Sequence, residues 1–204
     1  MTYTELWRPL TALYDEGEAQ AIARLVLETL FGLSLADVLC GQTGDDELLR
    51  QAQQRLLAGE PVQYVLGQAE FGPRTFRVAP GVLIPRPETY ELCQWVVEET
   101  AARAAEDAFS ILDIGTGSGC IACTLAAELP RAAVTAWDIS AEALAIARDN
   151  ATRLGVNVVF EQADILKPPL GRRTLATNGT QEISNLKSQI SNLKPQISNL
   201  KSQT

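Results

Sequence analysis

The stretch Phe109-Ser110-Ile111-Leu112-Asp113-Ile114-Gly115-Thr116-Gly117-Ser118-Gly119-Cys120 decides the fold. A short apolar run ends in an acid, a glycine-rich loop follows at once, and Cys120 to Leu129 reads as a helix. Strand, glycine loop and helix are the setting of a nucleotide-binding turn, because glycines let the backbone approach a ligand and adopt positive φ. Ala133 to Asp138 reads as a second strand ending in an acid, 19 residues past Gly119. A carboxylate there can accept both ribose hydroxyls of an adenosine. Ala141 to Leu154 reads as a crossover helix, Val156 to Phe160 as a third strand, and Asp164 closes the loop after it. This βαβαβ pattern predicts an α/β fold on a parallel sheet.

Two cofactors fit such a unit. A dinucleotide site prefers Gly-x-Gly-x-x-Gly, whereas here the loop is Gly-x-Gly-x-Gly and Cys120 stands at the pattern's last glycine. Asp113, just before the loop, would repel a pyrophosphate but suits the ammonium of a methionine moiety. The residues favour S-adenosylmethionine over NAD.

Upstream, Leu6, Leu10, Leu13 and Tyr14 fall at helical spacing, and so do Ile22, Leu25, Val26 and Leu30 before a stop at Gly32. Ser34 predicts a cap for a helix over 35–40, and Asp45 or Asp46 one for a helix to Ala58 with Gly59 as its stop. These helices predict a bundle over residues 1–60, with Trp7 and Phe31 in its core. Residues 61–85 alternate through Phe71, Phe76, Val78, Val82 and Ile84 around Gly72-Pro73 and Pro80-Gly81, which predicts a hairpin within a linker over 61–88. Glu88 or Thr89 opens a helix over about 89–104. The domain built on the glycine loop then runs over 89–169. Trp95 and Trp137 lie in apolar segments and are expected in the core.

Charge separates the last stretch from the rest. The chain has 204 residues, room for one ordinary domain or a small and a medium one. Residues 1–166 carry 24 acids against 11 arginines, a net of −13, while residues 167–204 carry six basic residues against Glu182, a net of +5. Every lysine lies in that second part. From Ile183 the chain repeats every seven residues, with Ile183, Ile190 and Ile197 at a and Leu186, Leu193 and Leu200 at d. Serine, asparagine and Pro195 oppose a helix, so residues 170–204 read as a low-complexity heptad-repeat extension rather than a zipper. The change of composition fits a different coding sequence, such as a frameshift product. No histidine is present, which excludes a Ser-His-Asp triad and any histidine-bearing zinc site within this sequence. The acidic body argues against a broad nucleic-acid face. No apolar run approaches a membrane span and the N-terminus lacks signal-peptide character, so the expected compartment is cytoplasmic.

The chain resembles the PrmC/HemK family, the release factor glutamine methyltransferases. The resemblance rests on Gly59-Glu-Pro-Val-Gln-Tyr-Val-Leu-Gly67, Glu70-Phe71, Leu83-Ile-Pro-Arg-Pro-Glu-Thr89, Ile111 to Gly119, and Asp138, and it covers about residues 1–168. It implies an α/β fold made of an N-terminal helical bundle plus a partial S-adenosylmethionine-dependent, Rossmann-like methyltransferase domain. The implied activity is N5-methylation of the glutamine in the Gly-Gly-Gln motif of a class I peptide chain release factor, docked by the helical part. By matching position, Gly115, Thr116, Gly117, Ser118 and Gly119 would cradle the methionine part, with Asp113 at its ammonium. Asp138 would take the ribose, and Asp164 and Ile165 would flank the adenine. Neither a metal nor a direct nucleic-acid or membrane partner is implied.

Two departures matter. Tyr90 stands where the family usually has Glu. The family's Asn-Pro-Pro-Tyr, which holds the glutamine amide, is absent; Lys167-Pro168-Pro169-Leu170 keeps only the prolines. No catalytic residue is assigned on that basis, and activity is expected to be impaired. In the family's strand order, residues 109–114 would then form an exposed apolar edge, which favours aggregation. Cys120 and Cys123 form a Cys-x-x-Cys whose spacing favours helix packing over redox chemistry. The readings left open are an active methyltransferase, a non-catalytic remnant that binds S-adenosylmethionine or the release factor, and an interaction protein.

Overall fold

The computed structural model describes residues 1–104 and 109–166. The heptad repeat and the Lys167 to Leu170 stretch lie outside the described residues. The helical part comprises α1 (Tyr3–Trp7), a 3-10 turn (Arg8–Ala12), α2 (Glu16–Phe31), α3 (Leu35–Leu39), α4 (Asp46–Leu57) and α5 (Val62–Leu66). Side chains cap the first amides of four of these. Thr2 serves α1, Asp15 serves α2, Ser34 serves α3, and Asp45 accepts from both Glu47 N and Leu48 N of α4. Leu6, Leu10, Val26, Leu27, Leu49 and Leu56 fill the bundle core, with Trp7 and Phe31 packed partly buried against it.

Leu13, Leu25 and Leu30 are exposed. The inward stripe of α2 is Ala19, Ile22, Ala23, Val26 and Leu27, a three-four spacing that leaves Leu25 outside it; Leu30 continues the stripe into the last turn of the helix, where it is 39% exposed.

The predicted hairpin is shorter than its alternation. Residues 62–66 form α5, and the strands are only β1 (Gln68–Phe71) and β2 (Arg74–Arg77), paired antiparallel around Gly72-Pro73. Phe71 meets Phe76 edge-on at 5.9 Å and Tyr90 edge-on at 5.5 Å. A Cβ at Gly72 would overlap the Tyr90 ring. Tyr90 therefore packs the hairpin onto α6 (Pro87–Ala104), which accounts for an aromatic residue at that position. The helix begins at Pro87 rather than at 89, because proline has no N–H to satisfy and its φ already suits a first turn.

Trp95 corrects the expectation of a core residue, being 62% exposed. The buried side of α6 is set by Cys93, and two residues along a helix turn about 200° away from it.

The remaining elements are β3 (Ser110–Ile114), α7 (Cys120–Glu128), β4 (Ala133–Asp138), α8 (Ala141–Leu154) and β5 (Val159–Gln162). The strands form one parallel sheet in the order β3-β4-β5, with Asp113 opposite Ala136 and Asp138 opposite Gln162. The third strand begins at Val159, not Val156. Gly155 ends α8 at φ 66° and Val156 N still donates to Ala151 O, so the helix exit uses the residues before the strand.

Ile111, Val134, Ala136 and Phe160 pack with Ala122 of α7 on one face of the sheet. On the alternate positions Leu112 is 38% and Ile114 39% exposed, and among the described strands β3 is an edge. The helical part, hairpin and sheet belong to one compact unit, Met1–Pro168.

Candidate functional site

Parallel strands leave their loops at the carboxyl edge of the sheet, where α/β folds bind ligands. The loop after β3 is folded over the end of β4. Gly115 N and Thr116 N both donate to the Trp137 carbonyl, at 2.8 and 3.0 Å. Gly119 N donates to Thr116 O at 2.8 Å and closes the turn into α7. Gly115, Gly117 and Gly119 have φ of 78°, 55° and 79°, in the left-handed region where a side chain is strained.

The three glycines do different work. A Cβ on Gly115 or Gly117 would meet nothing within 4 Å, so both turn bare backbone toward open space. A Cβ on Gly119 would lie 3.0 Å from Ala147 Cβ and 3.2 Å from its Cα. Gly119 is thus required by the close approach of α7 to α8.

Asp138 is gripped by two amides. Gly117 N donates to Oδ2 at 2.8 Å and Ser140 N donates to Oδ1 at 2.9 Å. Each oxygen keeps a lone pair, and the carboxylate is oriented before any ligand arrives. The loop after β5 joins the same edge: Ala163 N donates to Asp138 O at 3.0 Å, Leu166 N to Asp164 Oδ1 at 2.9 Å, and Ile165 is exposed beside them. Asp113 accepts a hydrogen bond from Thr116 Oγ1 at 2.7 Å. The expected residues Asp113, Gly115 to Gly119, Asp138, Asp164 and Ile165 thus come from three successive strand ends to one edge.

Burial raises the Asp113 carboxyl above the usual carboxylate range. The Thr116 hydroxyl and the Ala122 backbone act the other way, and the Asp138 charge adds to the rise. The folded chain holds this proton more tightly than the unfolded chain. The corresponding stability is present below about pH 4 and is lost as pH rises through the raised value. Asp113→Asn is therefore expected to raise the thermal midpoint at pH 7, with the difference closing below about pH 4, as scanning calorimetry can show. The same variant is expected to weaken binding of any ligand that presents an ammonium to the loop.

Three of the four cysteines are packing residues, and Cys40 is exposed. Cys93, Cys120 and Cys123 lie in one apolar cluster and are unbridged. Burial pushes the Cys93 and Cys123 thiols up to about 12 and raises Cys120 as well, the opposite of a reactive thiolate. Among the described residues no group of His, Cys, Asp or Glu could hold a metal ion, and no helix is long and apolar enough to cross a membrane.

Two polar residues of the site were not read from the sequence. Ser140 caps α8 and supplies an amide to Asp138, a role visible in hindsight from its place just before the helix. Asn150 is buried and donates to the Ser118 carbonyl at 2.9 Å. Its signal was a polar residue three positions after Ala147 and seven after Ala143, on the buried stripe of α8.

Fold and site together define a Rossmann-like methyltransferase domain, present in part, behind a helical bundle. The sequence comparisons agree. Residues 10–67 match the PrmC N-terminal domain and residues 111–179 match a methyltransferase domain. The release factor glutamine methyltransferase of Bacteroides thetaiotaomicron is 46% identical over 164 residues, covering 76% of this chain and 56% of that protein. Those of Bacillus subtilis and Koribacter versatilis are 41% and 54% identical, over 76% and 57% of this chain and 56% and 40% of theirs. The chain is thus similar to the PrmC/HemK release factor glutamine methyltransferases in both of its parts, and it spans about half the length of the relatives it matches.

Proposed function

We propose that this chain binds S-adenosylmethionine at the carboxyl edge of its sheet, and that its lineage methylates the glutamine of the Gly-Gly-Gln motif in class I release factors. The observation that carries the reading is Asp138, held by Gly117 N and Ser140 N beside a loop whose Gly115 and Gly117 face open space. Asp138 would accept the ribose hydroxyls, the glycine loop would admit the methionine part against bare backbone, and Asp113 would face its ammonium. Asp164 and Ile165 would flank the adenine.

When bound, S-adenosylmethionine supplies a methyl group on a sulfonium. In the transfer a glutamine amide nitrogen forms a bond to that methyl, the carbon–sulfur bond breaks with its electrons going to sulfur, and the nitrogen loses a proton. Such a displacement depends on holding the amide in line. The family holds it with Asn-Pro-Pro-Tyr, which these 204 residues do not contain. The reading for this chain is therefore cofactor binding with impaired transfer, in a cytoplasmic setting alongside its release factor.

Titration calorimetry with S-adenosylmethionine, followed by methyl transfer to a release factor carrying Gly-Gly-Gln, tests it. Saturable binding is expected, with turnover lower by about 100-fold or more than a relative that has Asn-Pro-Pro-Tyr. No binding would sink the cofactor reading, and full turnover would sink the impairment.

A further inference from the structure

We propose that Asn150 is a positioning residue that locks the cofactor loop to the hairpin leading down from the helical bundle. Its side chain is 1% exposed and bonds in three directions. Oδ1 accepts from Arg77 N at 2.7 Å, and Nδ2 donates to Arg77 O at 2.9 Å and to Ser118 O at 2.9 Å. One amide thus joins β2, α8 and the glycine loop. A primary amide is the fitting group, since the site presents one donor and two acceptors.

The hairpin is itself tied to the helical part. Val78 N donates to Gly67 O at 3.0 Å, and Tyr64 Oη donates to Val82 O at 2.6 Å. Asp149 adds an ion pair to Arg77 at 3.2 Å from the neighbouring position of α8. A continuous hydrogen-bonded route therefore runs from α5 through β2 and Asn150 to Ser118, which sits between the two glycines Gly117 and Gly119. Movement of the hairpin reaches the loop backbone at Ser118 through this side chain. The effect on cofactor affinity rests on the function proposed above; the mechanical link does not.

The isosteric Asn150→Asp keeps the shape and the acceptor but sets a carboxylate against two carbonyl oxygens. The test uses the full chain without ligand. Amide hydrogen exchange is followed at Arg77, Gly117 and Gly119 in the parent, in Asn150→Asp, in Asn150→Ala, and in Leu144→Ala, a buried position elsewhere on α8. Both Asn150 variants are expected to speed exchange about tenfold at Arg77 and at the loop together, while Leu144→Ala speeds exchange within α8 and leaves Arg77 and the loop amides as in the parent. If neither Asn150 variant folds, native-state exchange of the parent decides: Arg77 and the loop amides open as one unit if the link is real. Loop amides that open independently of Arg77 overturn the inference.

S-adenosylmethionine calorimetry then reads the consequence, an affinity about tenfold weaker in Asn150→Asp and unchanged in Leu144→Ala. Absence of binding by the parent would remove the cofactor reading and leave the exchange result standing. Binding unchanged in Asn150→Asp would overturn the positioning role.

Discussion

Asp138→Ala is expected to lower the affinity for S-adenosylmethionine by about 100-fold or more, the largest binding effect of any single change in the site. Hydrogen bonds to a charged group contribute about 1.5–3 kcal/mol each, and the proposed ribose contact uses two of them. The loss is greater than a missing contact because the carboxylate also organises the loop. Its removal leaves Gly117 N and Ser140 N without the acceptor that orients them. Asp138→Asn separates the two roles. It preserves size and one acceptor, and places an NH2 where an amide already donates. An intermediate loss is expected. Calorimetry with both variants, alongside their thermal midpoints, checks the prediction. An alanine variant that binds as the parent does would remove Asp138 from the site.

Gly119→Ala is expected to destabilise the fold by about 2–4 kcal/mol, whereas Gly115→Ala costs only about 1–2 kcal/mol. Both residues sit at nearly the same φ, 79° and 78°, so the strain of a left-handed side chain is common to both. The difference is what the new Cβ meets. At Gly119 it presses on Ala147, including a backbone atom at 3.2 Å that cannot rotate away. The helices α7 and α8 would have to part, and small domains have only about 5–15 kcal/mol of stability in total. At Gly115 the Cβ enters open space, so its cost in stability is small and its effect falls on ligand binding. Chemical denaturation of both variants tests the ordering. Equal losses would mean that the contact with α8 is softer than the geometry indicates.

Much of this was legible because it depends on local chemistry. Caps at Ser34 and Asp45, stops at Gly32 and Gly59, and the strand-loop-helix around Gly115 need only neighbours in the chain to express themselves. The errors share one cause. Alternation through residues 61–85 overstated the hairpin, because a buried loop can place Val78 and Val82 inward without strand pairing. Trp95 looked like core from its apolar segment, but whether an apolar residue is covered depends on which side of its helix meets a neighbour.

The sequence by itself determined the order of elements, the glycine loop and the acids at the strand ends, since each follows from backbone preference over a few residues. Its family motifs identified the lineage. Only the tertiary structure decided that Gly119 serves helix packing while Gly115 and Gly117 face space, that Tyr90 seals the hairpin, and that Asn150 links Arg77 to Ser118 across 73 and 32 residues of chain. These are contacts between segments distant in sequence. No local pattern encodes them, because the partner group is supplied by another element only once the chain has folded.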